Sequence, residues 1–153
     1  MTDVRATDDR AELPTAAFAF PGPLRDRLVR AILDGHKVTT TSLALAYEVE
    51  GAPLPQVGGR SVVLDSNERP VCVIETVEVR VVALGDVDYD HADGEGEGYA
   101  SVAEWRASHE DFWRGPEMLE SLGRRALVLD DATPVVVERF RVVDLDGVVT
   151  SSL

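Results

Sequence analysis

The chain has 153 residues and a formal net charge of −13. That is enough length for one domain with a real core, and too much negative charge for a broad, non-specific grip on phosphate backbones. Its single cysteine, Cys72, excludes an internal disulfide and a multi-cysteine zinc site. No run of about 18 apolar residues is present, so no membrane-crossing helix is expected. The polar start, MTDVRATDDRAEL, lacks the apolar centre of a secretory signal, and a cytoplasmic protein is the expectation. Residues 1–12 read as a solvated arm, 13–145 as the domain and 146–153 as a short tail.

Pro21-Gly22-Pro23 is a turn that can start a helix. Leu24, Leu28, Ala31 and Ile32 then recur at helical spacing, with Arg25, Asp26 and Arg30 off that face, and Gly35 supplies the left-handed stop. The stretch Gly35-His36-Lys37-Val38-Thr39-Thr40-Thr41-Ser42 follows, at the passage from helix to extended chain. A second helix is predicted over Leu43–Glu50, capped by Thr41 or Ser42 and ended by Gly51. Beyond the Pro53/Pro55 and Gly58-Gly59 punctuation the pattern turns to strands: Ser61–Leu64, then a long β-branched run Val71–Val82 with a bend or bulge in its middle. Strict alternation places Val71, Val73, Glu75, Val77, Val79 and Val81 on one face, and Cys72 on the other as a sheet residue. The segment GDVDYDHADGEGEGY reads as a flexible, solvated acidic loop. Ser101 and Glu104 form a capping box for a helix carrying Val102, Trp105, His109, Phe112 and Trp113. Pro116 starts a shorter helix, Gly123 ends it, and Pro134–Val143 is the last strand.

Lys37 is the only lysine; the other fourteen basic residues are arginine. A lysine amine is compact and can exchange a proton when buried, which a guanidinium does not do near neutral pH. With hydroxyls at Thr39, Thr40, Thr41 and Ser42 directly after it, Lys37 is the first candidate for chemistry. Against this stands the plainer reading of a surface cation before β-forming threonines. Asp86, Asp88, Asp90 and Glu97 match part of a calcium-loop pattern, but His91 stands where the sharp turn needs glycine. His36, His91 and His109 are too dispersed to read as a zinc triad, so no metal and no cofactor is expected.

The order of these pieces resembles the ASCH domain family, a branch of the PUA-like superfamily. The likeness is carried by GHKVTTTS, SLALAYEVEGAPLPQVGG, VVLDSNERPVCVIETVEV, EGEGYASVAEWRASHEDFW and VVVERFRVV, over residues 18–143. Gly35, Lys37 and Thr40 match the family's G-x-K-x-x-T signature, and Ser42 stands where many members have arginine. The resemblance implies an α+β fold built on a PUA-like small β-barrel with flanking helices. It also implies RNA or a modified nucleoside as partner, held in a local polar cleft. Some small members remove the acyl group from N4-acetylcytidine, and ribonuclease activity is attributed to a few. In the amidohydrolase type the motif's Lys and Thr act with a later glutamate, which by order is Glu97, with Glu95 as second choice. On that reading Thr40 is the nucleophile, neutral Lys37 takes its proton and Glu97 orients the lysine. Gly35, Thr41, Ser42, Tyr47, Glu95 and Trp105 complete the expected ligand site, with Tyr47 or Trp105 stacking on a base. The alternatives are a ribonuclease and a non-catalytic RNA-binding or interaction module.

Overall fold

Apolar alternation along the strands builds one mixed five-stranded sheet in a computed structural model that describes residues 13–144. The predicted arm (1–12) and tail (146–153) lie outside the described residues. In chain order the elements are β1 (Thr15–Ala16), α1 (Pro23–Asp34), β2 (Thr39–Leu43), α2 (Ala44–Glu50), β3 (Arg60–Leu64) and β4 (Pro70–Ala83). A single 3₁₀ turn at Leu84–Asp86 leads to α3 (Tyr89–Gly94), α4 (Val102–Trp113), α5 (Pro116–Leu122) and β5 (Pro134–Asp144). The strand order is β1-β3-β4-β5-β2. Among the described residues only the short β1–β3 pair is parallel.

The α+β class holds, but closure into a barrel is not shown. β1 and β2 are opposite edges of the sheet, and no ladder joins them among the described residues.

The long β4 carries register shifts at Val73/Ile74 and Thr76/Glu78. The second shift corrects the strict alternation read from the sequence. Val77 becomes an unpaired extra residue, so beyond it Val79 and Val81, not Glu78 and Arg80, share a face with Ile74 and Thr76.

Helices cover both faces of the sheet. Val135 and Val137 of β5 pack with Leu43, Ala92, Trp105, Trp113 and Leu122 under α3, α4 and α5. Phe140, of opposite parity on the same strand, packs with Phe18, Cys72, Ile74 and the α1 residues Val29 and Ile32. Cys72 is fully covered, and burial pushes its thiol up to about 11, which suits a core residue.

Several local expectations change. Arg25, read as lying off the apolar face of α1, is buried: its guanidinium donates to the carbonyls of Phe18, Ala19 and Asp65 and pairs with Glu68. Thr41 and Ser42 belong to β2, and Leu43 stands at the start of α2 with no side-chain cap. The acidic segment is not a flexible loop. Asp88 caps α3 by accepting from the His91 amide at 2.9 Å, and Val87, His91, Ala92 and Glu95 are buried beneath it.

Candidate functional site

Gly35 ends α1 in the left-handed conformation at φ 83°, and the amides of His36 and Lys37 both return to the Ala31 carbonyl. This tight exit aims Lys37 inward at the start of β2. Its ammonium donates to the Thr39 carbonyl at 2.8 Å and to Glu95 Oε1 at 3.2 Å. It also lies 5.6 Å from the centre of the Phe18 ring. Lys37 is 2 % exposed, so the ion pair bridges the two cores and is closed to solvent.

Glu95 reaches this position because glycines flank it. A Cβ on Gly94 would stand 2.8 Å from Thr39 Cγ2, and one on Gly96 would stand 2.9 Å from the His36 carbonyl. Gly96 also has φ 77°, which side chains rarely adopt. The Gly94 carbonyl accepts from the Val38 amide at 2.8 Å, fastening the end of α3 to the approach to β2.

The second carboxylate oxygen of Glu95 is equally occupied. It accepts from the Thr41 hydroxyl at 2.7 Å and the Trp105 indole at 2.8 Å, and His109 Nε2 stands 3.2 Å away. His109 Nδ1 faces the Trp105 carbonyl at 2.9 Å, so both ring nitrogens look at acceptors. Burial by itself would raise the Glu95 carboxyl, but the Lys37 ammonium, with His109 and Trp105, holds it well below the usual carboxylate range. Thr41 has one proton and gives it to Glu95. The 2.7 Å contact with His91 Nε2 therefore makes the histidine the donor. Burial likewise holds His91 below the usual histidine range. Thr41 is thus a link in a satisfied network, not a hydroxyl deprotonated by a histidine base.

Thr40 and Ser42 project from the other face of β2, where the strand alternates buried Thr39, Thr41 and Leu43 with half-buried residues. Thr40 stands opposite Glu138 in the β2–β5 register. The Glu138 carboxylate accepts from the Thr76 hydroxyl, and Tyr47 on α2 has Ser42 and Glu138 as neighbours.

The structure therefore divides the predicted site. Lys37, Thr41, Glu95 and Trp105 converge on one face, while Thr40, Ser42 and Tyr47 belong to the other. Glu97, the expected partner of Lys37, instead meets Arg27 of α1 at 3.2 Å. Trp105 cannot stack on a base in this arrangement. It is fully buried, its indole N–H is taken by Glu95, and His109 stacks on it at 4.4 Å. Gly35 acts through its backbone as a helix terminus. His91, His109 and Glu138 join these clusters without having been read as site residues. The available signals were His109 four residues after Trp105 on one helix face, and the glycines on both sides of Glu95. Among the described residues no group of His, Cys, Asp and Glu is arranged to hold a metal ion.

Fold and site together define an α+β domain whose helical cap is pinned to the sheet by a buried Lys–Glu pair behind a G-x-K-x-x-T turn. The ASCH domain family model matches residues 16–144, and the chain belongs to that family, which is generally associated with RNA. It is similar to the crystal structure of an ASCH domain from Lactobacillus crispatus JV V101, with 28% identity and a TM-score of 0.73 over 90% of this chain and 84% of that one. It is also similar to protein EF3133 from Enterococcus faecalis V583, with 25% identity and a TM-score of 0.74 over 93% of this chain and 86% of that one. None of the curated proteins matches the chain. No helix among the described residues is long and apolar enough to cross a membrane.

Proposed function

We propose that this ASCH domain binds RNA, or a nucleoside derived from it, at a local polar site on β2, and that Lys37 performs no chemical step. The observation that carries this reading is the closure of the Lys37–Glu95 pair: the ammonium is engaged, 2 % exposed, and hydrogen-bonded to neither Thr40 nor Glu97. The half-buried Thr40, Ser42 and Tyr47 are the motif groups a ligand can reach. Hydrolysis of N4-acetylcytidine would need Thr40 to pass its proton to Lys37, and the two side chains serve different clusters.

Titration with cytidine, N4-acetylcytidine and short single-stranded RNAs, run beside assays for acetate release and RNA cleavage, tests this. Binding without turnover is expected. Thr40→Val should weaken binding about fivefold, the worth of one hydrogen bond. Affinity should fall only shallowly with salt, because a chain of net charge −13 offers few phosphate contacts. Acetate release that disappears in Thr40→Val would overturn the reading in favour of an amidohydrolase, and RNA cleavage would favour a ribonuclease. No binding at all would point to an interaction module.

A further inference from the structure

Glu138 of β5 takes part in neither the Lys37–Glu95 network nor any ion pair among the described residues. It lies between Val136 and Phe140, both buried at 1 % and 3 % on the same face of the strand, yet is itself only half-buried. The covered face therefore opens at this point. Thr40 stands opposite Glu138 on β2 and Val79 opposite it on β4, while Thr76 reaches it from beyond the bulge at Val77. That bulge matters. It places Val79 and Val81, in place of the charged Glu78 and Arg80 that strict alternation would put there, on the Glu138 face together with Thr76.

The hydrogen bond from Thr76 engages Oε2. Oε1 has no partner among the described residues, and no fully buried side-chain polar atom there lacks one, so Oε1 keeps some exposure to solvent. Thr40 stands opposite the carboxyl on β2, the Tyr47 phenol neighbours both Glu138 and Ser42, and among the described residues no lysine or arginine is ion-paired to it.

We propose that Glu138, with Thr40, Ser42, Thr76 and Tyr47, forms a nucleoside site that accepts the uncharged base-and-sugar part of a ligand and discriminates against phosphate. This rests on the nucleoside-binding reading above and narrows it. A carboxyl with one free oxygen takes N–H or O–H donors from a base edge or a ribose, the hydroxyls serve either donors or acceptors, and a tyrosine ring suits a planar base. Phosphate would bring negative charge beside a carboxyl with no compensating cation, on a chain already at −13. Burial raises both the Glu138 carboxyl and the Tyr47 phenol, in keeping with a partly dry, cation-free environment.

Calorimetric titration of the full chain with cytidine, guanosine, adenosine and uridine, each paired with its 5′-monophosphate, tests the site. At least one nucleoside should bind about tenfold tighter than its monophosphate, and Glu138→Gln should weaken that nucleoside about tenfold while a thermal melt shows the variant folded. Equal affinity for nucleoside and monophosphate would overturn the proposal, as would unchanged affinity in folded Glu138→Gln. If short RNAs bind and no nucleoside does, this inference fails and the broader RNA-binding reading stands. If neither binds, both fail.

Discussion

Lys37 Nζ meets Glu95 Oε1 at 3.2 Å across 58 residues of chain, with the two side chains 1 % and 5 % exposed. This pair joins the end of α1 and start of β2 to the end of α3, so the one lysine of the sequence locks the helical cap onto the sheet. A buried pair of this kind adds little net stability over an apolar alternative, but removing one partner strands the other charge.

Lys37→Ala and Glu95→Gln should each lower unfolding free energy by about 3–5 kcal/mol, measured by urea denaturation. Lys37→Arg should also destabilise, because a planar guanidinium does not fit between the Thr39 carbonyl, Glu95 and the Phe18 ring. Wild-type stability in Lys37→Arg would contradict the packing described.

Thr40→Val and Thr41→Val should separate cleanly. Thr41 is hydrogen-bonded to both Glu95 and His91, so its loss leaves buried groups unpaired and should cost about 1–3 kcal/mol. Thr40 has no such bonds, and Thr40→Val should leave the urea midpoint nearly unchanged while weakening ligand.

Acid stability should track Glu95. Its folded carboxyl lies below its ordinary value of 4.5, because Lys37 and the other partners outweigh desolvation. The resulting stability is present above pH 4.5 and is lost as pH falls through the lowered folded value. Melting temperature should therefore fall below that pH in wild type and fall less in Glu95→Gln.

Glu138 should behave with the opposite sign. Burial raises its carboxyl above 4.5, so its contribution is fully present below that pH and is lost as pH rises through the folded value. Glu138→Gln should melt higher than wild type at pH 7, with the difference shrinking toward pH 4. An unchanged difference across that range would contradict the desolvation of Glu138.

Gly96→Ala should destabilise more than Gly98→Ala. Both glycines have positive φ, 77° and 75°, but only at Gly96 would a Cβ press on backbone, at His36 and Lys37. Comparing the two melts isolates the close approach from the backbone strain.

Local chemistry was legible from the sequence. Gly35 after an apolar periodicity dictates the end of α1, Ser101 and Glu104 dictate the start of α4, and β-branched alternation dictates β4 and β5. The family resemblance likewise rested on short motifs in order, and it pointed to the stretch that carries both polar clusters. What the sequence could not supply was the side of the sheet on which each residue would fall. Thr40 and Thr41 are adjacent in the chain, yet period-two geometry sends them to opposite faces, and only the β2–β5 pairing decides which face meets α3 and which meets Glu138. The choice between Glu95 and Glu97 is of the same kind. Both stand between glycines, and only the contact of Gly94 and Gly96 with β2 and its approach determines which carboxylate is driven inward to Lys37 and which is left to Arg27. Local propensity acts over a few residues, whereas an ion pair spanning 58 residues depends on where the whole sheet and its cap come to rest.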